Sequence, residues 1–250
     1  MRNSITRIGL FFVFLLLPAV AWAESSPDAA SIMEKVDGAL TMAEDFTATL
    51  ELETTSASGA TEGRTMTVWQ KGKYQRMVKL TAPARLRGVG LLASGEDQLY
   101  VYLPAFGRVR RVAGRQRGEP FLGSNFTQDD FSRTVFSDRF RPAFVEENPT
   151  HWTLRLTPKE AGSEPYDHLL LEIRKEDHQV TQILFFEEDS KKPTRRLTAT
   201  DFRLIDTQML AYTIVAEDLK SQSRSVMTLS DVKVNTGIKD SVFTQRQLQR

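Results

Sequence analysis

From Phe46 almost to the C-terminus, apolar residues recur at every second position, segment after segment, with only short polar breaks between. A period of two sends alternate side chains to opposite faces, so each segment reads as a β-strand with one apolar face. Phe46, Ala48, Leu50 and Leu52 alternate with Thr47, Thr49, Glu51 and Glu53. Met66 and Val68 continue the pattern, then Tyr74, Val78 and Leu80, then Val89 and Leu91, then Leu99, Val101 and Leu103. After a gap come Trp152, Leu154 and Leu156; Leu169, Leu171 and Ile173; and Val180, Leu184 and Phe186. Phe202 and Leu204, then Tyr212, Ile214 and Ala216, then Met227 and Leu229 complete the series. Turn residues separate the runs at Ser58-Gly59, Lys71-Gly72-Lys73, Ser94 to Asp97, Ala161-Gly162-Ser163 and Glu176-Asp177-His178. Connections this short join antiparallel neighbours, and no helical pattern recurs between them to carry parallel crossovers. The expectation is a mainly β (α+β) chain of about ten strands in one antiparallel sheet, wide enough to curl. Leu170, Ile183 and Phe185 add apolar character to the second face, so the sheet must be covered there or hold something.

Two segments depart from this period. Ser26-Pro27-Asp28 is a helix start, with a capping serine, a proline at the first helical position and an early acid. Ile32, Met33, Val36 and Leu40 then share one helical face, which fades near Glu44. Residues 118–150 interrupt the strand pattern and read as a loop-and-helix insertion. Within it, Thr127-Gln128-Asp129-Asp130 has the form of a capping box, and Phe126 and Phe131 are spaced as a hydrophobic staple. A short helix is therefore expected after Thr127, with Gly123-Ser124-Asn125 as the corner before it.

The first 23 residues read as an export leader. Arg2 and Arg7 precede an apolar core from Ile8 to Leu17, and Ala21-Trp22-Ala23 fits a cleavage site. Cleavage after Ala23 leaves 227 of the 250 residues, expected to form a single domain over 24–250. The leader holds two of the 33 basic residues and no acid, so the remainder carries 31 basic against 32 acidic side chains. Such a balance excludes a general polyanion binder, and no nucleic-acid partner is expected. There is no cysteine, which removes disulfides, thiolate metal sites and an acylated cysteine anchor. The expectation is a soluble, monomeric periplasmic protein.

Chemistry-bearing patterns are weak. Ser124 lies in Leu-Gly-Ser-Asn, which is not a nucleophile elbow. Asp129 and Asp130 are adjacent, so on a helix they diverge. His151, His168 and His178 have no metal-ligand spacing, and no glycine-rich phosphate loop precedes a helix. No enzyme, cofactor or metal is expected. The unusual feature is Arg108, Arg110, Arg111, Arg115 and Arg117 within ten residues. After the turn at Ala105-Phe106-Gly107, Arg108 to Val112 can return as a strand, which would place Arg110 and Arg111 on opposite faces.

The run "YLPAFGRVRRVAGRQRGEPFLGSNFTQDDF", with "LRGVGLL" before it and "DSVFTQRQL" near the C-terminus, resembles the signature of the outer membrane lipoprotein-sorting protein family. Gly123, Ser124, Phe126, Thr127, Asp130 and Phe131 belong to that motif. The resemblance covers essentially the whole mature chain. It implies a fold similar to LolA and LolB: an open, strongly curved antiparallel half-barrel with the N-terminal helix and a short inserted helix covering an apolar cavity. It also implies carriage of lipid or lipoprotein acyl chains, and partnership with an inner-membrane RND or MMPL-type exporter. On the shared alternation, Met66, Val68, Val78, Val89, Leu91, Val101, Leu103, Leu171, Ile173 and Leu184 are the expected apolar lining. The five arginines have three readings: surface salt bridges on a solvated hairpin, docking to an exporter or acceptor, or contact with anionic headgroups. A non-carrying accessory or sensor module on the same fold is the alternative function.

Overall fold

The computed structural model describes residues 28–41, 43–95, 98–132 and 135–250. The leader, its cleavage site and the Ser26-Pro27 start lie outside the described residues. One helix, α1 (Ala29–Leu40), opens the described chain. Its cap is Asp28, whose carboxylate accepts from the Ala30 and Ser31 amides at 3.2 and 3.3 Å. The helix ends at Leu40, one turn short of the expected Glu44, where Thr41 turns its hydroxyl back onto the Asp37 carbonyl. Ile32, Met33 and Val36 are its buried face, as their spacing requires.

Thirteen strands follow: β1 (Asp45–Thr55), β2 (Thr61–Lys71), β3 (Gln75–Ala82), β4 (Gly90–Gly95), β5 (Gln98–Leu103), β6 (Arg108–Val112), β7 (Phe140–Glu147), β8 (His151–Pro158), β9 (His168–Arg174), β10 (Val180–Phe186), β11 (Arg195–Ile205), β12 (Gln208–Asp218) and β13 (Ser223–Val234). A single turn, α2 (Gln245–Leu248), closes the chain. All the strands belong to one antiparallel, unclosed sheet in the order β6-β5-β4-β3-β2-β1-β13-β12-β11-β10-β9-β8-β7. The expected count of about ten was therefore low. The strand hidden in the expected insertion is β7. Pro142 interrupts its pattern, and proline is tolerated there because β7 is an edge strand with one ladder unpaired.

The order has a topological consequence. The two edges, β6 and β7, are consecutive in sequence. The segment between them, residues 113–139, must cross from one edge of the curled sheet to the other. We call it the strap. It contains a 3₁₀ turn at Gly114–Gly118 but no inserted α-helix among its described residues. Capping-box contacts do form: the Thr127 amide and hydroxyl donate to the Asp130 carboxylate at 2.7 and 2.9 Å. Phe126 and Phe131 also meet, with ring centroids 5.9 Å apart. The cap opens no helix among the described residues, and the segment pairs instead with the chain before it. Gln128 donates to the Glu119 carbonyl, Asp129 to the Arg117 carbonyl, and Pro120 bridges Thr127, so the strap doubles back on itself.

The interior divides into two apolar clusters. One packs β1–β5 against Phe121, Phe126 and Phe131 of the strap, with Ala216 and Met227. The other packs α1 against β7–β10 with Phe136 and Phe140. Asp37 of α1 ties the helix to the strap by accepting from the Phe136 and Ser137 amides at 2.8 and 3.0 Å. On the outer face, Phe243 and Leu248 cover Met77 and Leu92.

Candidate ligand cavity

The two clusters do not meet fully. Between them lies a cavity of about 260 Å³, near the lower end of the roughly 300–1,000 Å³ range of small-ligand pockets. Its floor runs across seven consecutive strands, from β3 through β2, β1, β13, β12 and β11 to β10. Phe46, Leu50, Leu197, Ile214, Met227 and Leu229 supply the middle of that floor; Phe126, Phe131 and Phe136 of the strap and Leu40 of α1 complete the wall. A floor that spans seven strands and is still roofed by one segment requires the sheet to curl.

Buried charge pairs pin the strap. Arg139 holds Asp129 through two hydrogen bonds of 2.7 and 3.0 Å, and holds Glu164 through its Nε at 2.7 Å and through Nη2. Arg117 approaches Asp129 from the other side at 3.9 Å. Burial alone would lower the Arg139 pKa, but the Asp129 and Glu164 charges outweigh it and raise it. Arg195 of β11 pairs with Asp130, donates its Nε to the Asn125 carbonyl at 3.0 Å, and lies 4.4 Å from the centre of the Phe185 ring. Burial opposes its charge, and Asp130 and Tyr166 reverse that effect, so its pKa is raised. Asn125 is stapled to β13 by Ser223 and Ser225 at 2.6 and 2.8 Å. Ser124 spends its hydroxyl on the Phe121 carbonyl at 2.8 Å.

Arg76 is different. It lines the cavity, half-buried, and donates through Nη2 to Gln70 across the β2–β3 pair. Its Nε is sealed from solvent and has no hydrogen-bond partner among the described residues. Burial pushes its pKa down to about 10, and no carboxylate among the described residues counters that.

Solved structures share this architecture. An outer membrane lipoprotein-sorting protein domain from Vibrio parahaemolyticus is 21% identical, with 89% of this chain and all of that one covered at a TM-score of 0.79. A LolA superfamily protein from Nitrosomonas europaea is 25% identical, with 88% and 98% covered at 0.73. A DUF1329 family protein from Desulfovibrio piger is 17% identical, with 88% and 98% covered at 0.78. No curated protein matches the chain. A family model described as "Uncharacterized protein" matches residues 72–250, well over half of the chain. The chain belongs to that family, and its fold is LolA-like.

Within this LolA-like frame the expected lining residues separate. Val68 and Val78 line the cavity. Met66, Val89, Leu91 and Val101 are buried in the β1–β5 cluster under the strap, with Leu103 at its fringe. Leu171 and Ile173 are sealed beneath α1. Leu184 faces the opposite side of the sheet, because a register shift between Val180 and Gln182 turns Ile183 and Phe185 inward instead. Leu204 is exposed, at 62%, while Phe202 lines the cavity with Leu197 and Ala199, the alternation between them being shifted at Asp201, whose φ is 52°.

The arginine cluster also separates. Arg108, Arg110 and Arg111 are all exposed on edge strand β6, and Arg115 lies 3.9 Å from Glu188 at the surface. Neither Arg110 nor Arg111 points inward. Arg117 does, toward Asp129. Phe106, 72% exposed, caps the hairpin that carries them, and Gly107 turns the chain there with a φ of 60° that only glycine adopts freely. The sequence reading missed Arg76, Arg139, Glu164 and Arg195, which stand on strands or loops with no local motif to mark them.

Proposed function

We propose that the protein is a periplasmic carrier or chaperone for lipid or lipoprotein acyl chains, acting in their sorting or transport toward the outer membrane. In this reading a leader over residues 1–23 is removed, and residues 24–250 work as one domain. One observation carries it: an apolar cavity spans the seam between the two cores, roofed by a strap held by charge pairs rather than by a closed sheet. Leaving an alkyl chain in water costs about 0.8 kcal/mol per methylene, so a sixteen-carbon chain carries roughly 12 kcal/mol. A carrier must offset much of that cost and still let go. A continuous barrel would trap its cargo, whereas a strap can lift without breaking the sheet. The description of the Vibrio domain as a lipoprotein-sorting protein supports the same role.

The test is binding of the fluorescent apolar probe 1-N-phenylnaphthylamine to the delipidated protein. The carrier reading predicts saturable binding that Ala199→Trp, which fills the cavity floor, abolishes. Binding that Ala199→Trp leaves untouched would place the apolar site elsewhere.

A second reading rests on the β5–β6 hairpin. Exposed Arg108, Arg110, Arg111 and Arg115 behind exposed Phe106 form a basic surface with an aromatic tip. Arginine's planar fork suits carboxylates and phosphates. This surface would dock an accessory or sensor module, or the loaded carrier itself, onto an RND or MMPL-type exporter or onto anionic headgroups.

A further inference from the structure

Among the described residues seven arginines are buried or half-buried, and six of them meet a carboxylate, Arg174 with Asp177 and Arg196 with Glu217 at the periphery. Arg139 has Asp129 and Glu164, Arg117 has Asp129, Arg195 has Asp130, and Arg64 has Glu62. Arg76 has none among the described residues, and its neighbour Gln70 is neutral. A guanidinium offers five N–H donors in one plane. Gln70 accepts from Nη2, and the Nε–H is sealed from solvent with no partner among the described residues. Asp130, which shares the cavity, is already neutralised by Arg195. An uncompensated cation in a desolvated wall is costly and persists only where something offsets it.

Its position says what that is. Gln70 and Arg76 are directly paired across β2 and β3, and Val68 and Val78 are paired two residues further along the same face. All four line the cavity. The wall therefore passes from cationic to apolar over one rung, about 7 Å. That sequence of surfaces complements an acidic amphiphile. We propose that Arg76, assisted by Gln70, is a head-group subsite that receives the carboxylate or phosphate of a lipid whose alkyl chain lies along Val68, Val78 and the strap phenylalanines. Uncharged acyl esters and amides can accept a hydrogen bond but leave the guanidinium's charge uncompensated, so the cavity selects for acidic lipids. This rests on the carrier reading and narrows its ligand class.

The experiment uses three ligands of one chain length: dodecanoate, dodecyl phosphate and dodecanol. Each competes against 1-N-phenylnaphthylamine on the delipidated protein, its Arg76→Met variant and its Arg76→Lys variant, with a thermal melt of each to verify folding. A charge-assisted hydrogen bond is worth about tenfold or more in affinity. The wild type should bind at least one of the two acids that much more tightly than dodecanol, and the tighter acid identifies the head. Arg76→Met should bring acid and alcohol to equal affinity, and Arg76→Lys should keep part of the preference. Equal binding of all three ligands by the wild type, or a preference that survives in Arg76→Met, overturns the subsite while leaving carriage intact. If the probe and all three ligands fail to bind, the carrier reading falls with it. Should Arg76→Met not fold, the wild-type preference and the lysine variant still decide.

Discussion

Replacing Arg139 by methionine tests what holds the strap in place. The substitution keeps the side chain's length and apolar stem and removes only the guanidinium. It leaves Asp129 and Glu164 behind, with side chains only 2% and 5% exposed. Removing one partner of a buried pair costs about 3–5 kcal/mol, because the remaining charge has neither water nor counterion. Arg117 stays 3.9 Å from Asp129 and keeps part of the compensation, so the lower portion of that range, about 3–4 kcal/mol, applies. For a domain of this size each kcal/mol moves the melting temperature by about 2–4 °C, so the variant should melt about 6–16 °C lower. Differential scanning calorimetry reads this directly. The triple variant Arg139→Met, Asp129→Asn, Glu164→Gln should recover part of the loss, since it removes both stranded carboxylate charges while Arg117 loses its Asp129 contact. A single variant that melts within about 2 °C of the wild type would refute the reasoning, as would a triple variant less stable than the single one.

Three further outcomes follow from the same structure. Burial works to raise the Asp45 carboxyl, but the Thr236 amide and hydroxyl and the Gly237 and Ile238 amides, all within 2.9 Å, hold it below its ordinary range. The stability this confers is present above the unfolded pKa of about 3.9 and lost as pH falls through the folded value, so the advantage of wild type over Asp45→Asn in urea melts should shrink steadily below pH ~4. Gly90→Ala would place a Cβ 2.9 Å from the Val78 carbonyl oxygen and 2.8 Å from Leu248, and should cost about 1–3 kcal/mol by denaturant melt, with α2 displaced. Arg110→Glu with Arg111→Glu should leave the melting temperature nearly unchanged, because both residues are exposed, and should weaken sedimentation with anionic vesicles or capture by an exporter partner; a variant that cannot fold would return these arginines to a structural role.

The strand architecture was legible because alternation is local: Phe46 to Leu52 and Leu169 to Ile173 show their faces without help from the rest of the chain. What failed was whatever depended on a neighbour. Pro142 masked β7, whose tolerance for proline comes only from lying at a sheet edge. Thr127 to Asp130 carried a sound helix-start pattern, but the segment pairs back onto Glu119 and Arg117 and no helix follows among the described residues. The lining was only partly legible for a related reason. Alternation tells which face is apolar, not which stretch of it α1 and the strap leave uncovered, and one register shift in β10 exchanged Leu184 for Ile183. The arginine run drew attention by density, yet the arginines that hold the strap, Arg139 and Arg195, stand outside it. Only Arg117 belongs to both sets.

The central claim is that the seam between the two cores holds an acyl chain. Native mass spectrometry of the protein, purified from its own host without detergent, tests this most directly. The account predicts a fraction carrying one added mass that fragments to an acidic lipid, lost on solvent extraction and absent from Ala199→Trp. A protein that appears only at its bare mass, and that takes up no acyl ligand when the three dodecyl compounds are supplied, would contradict it.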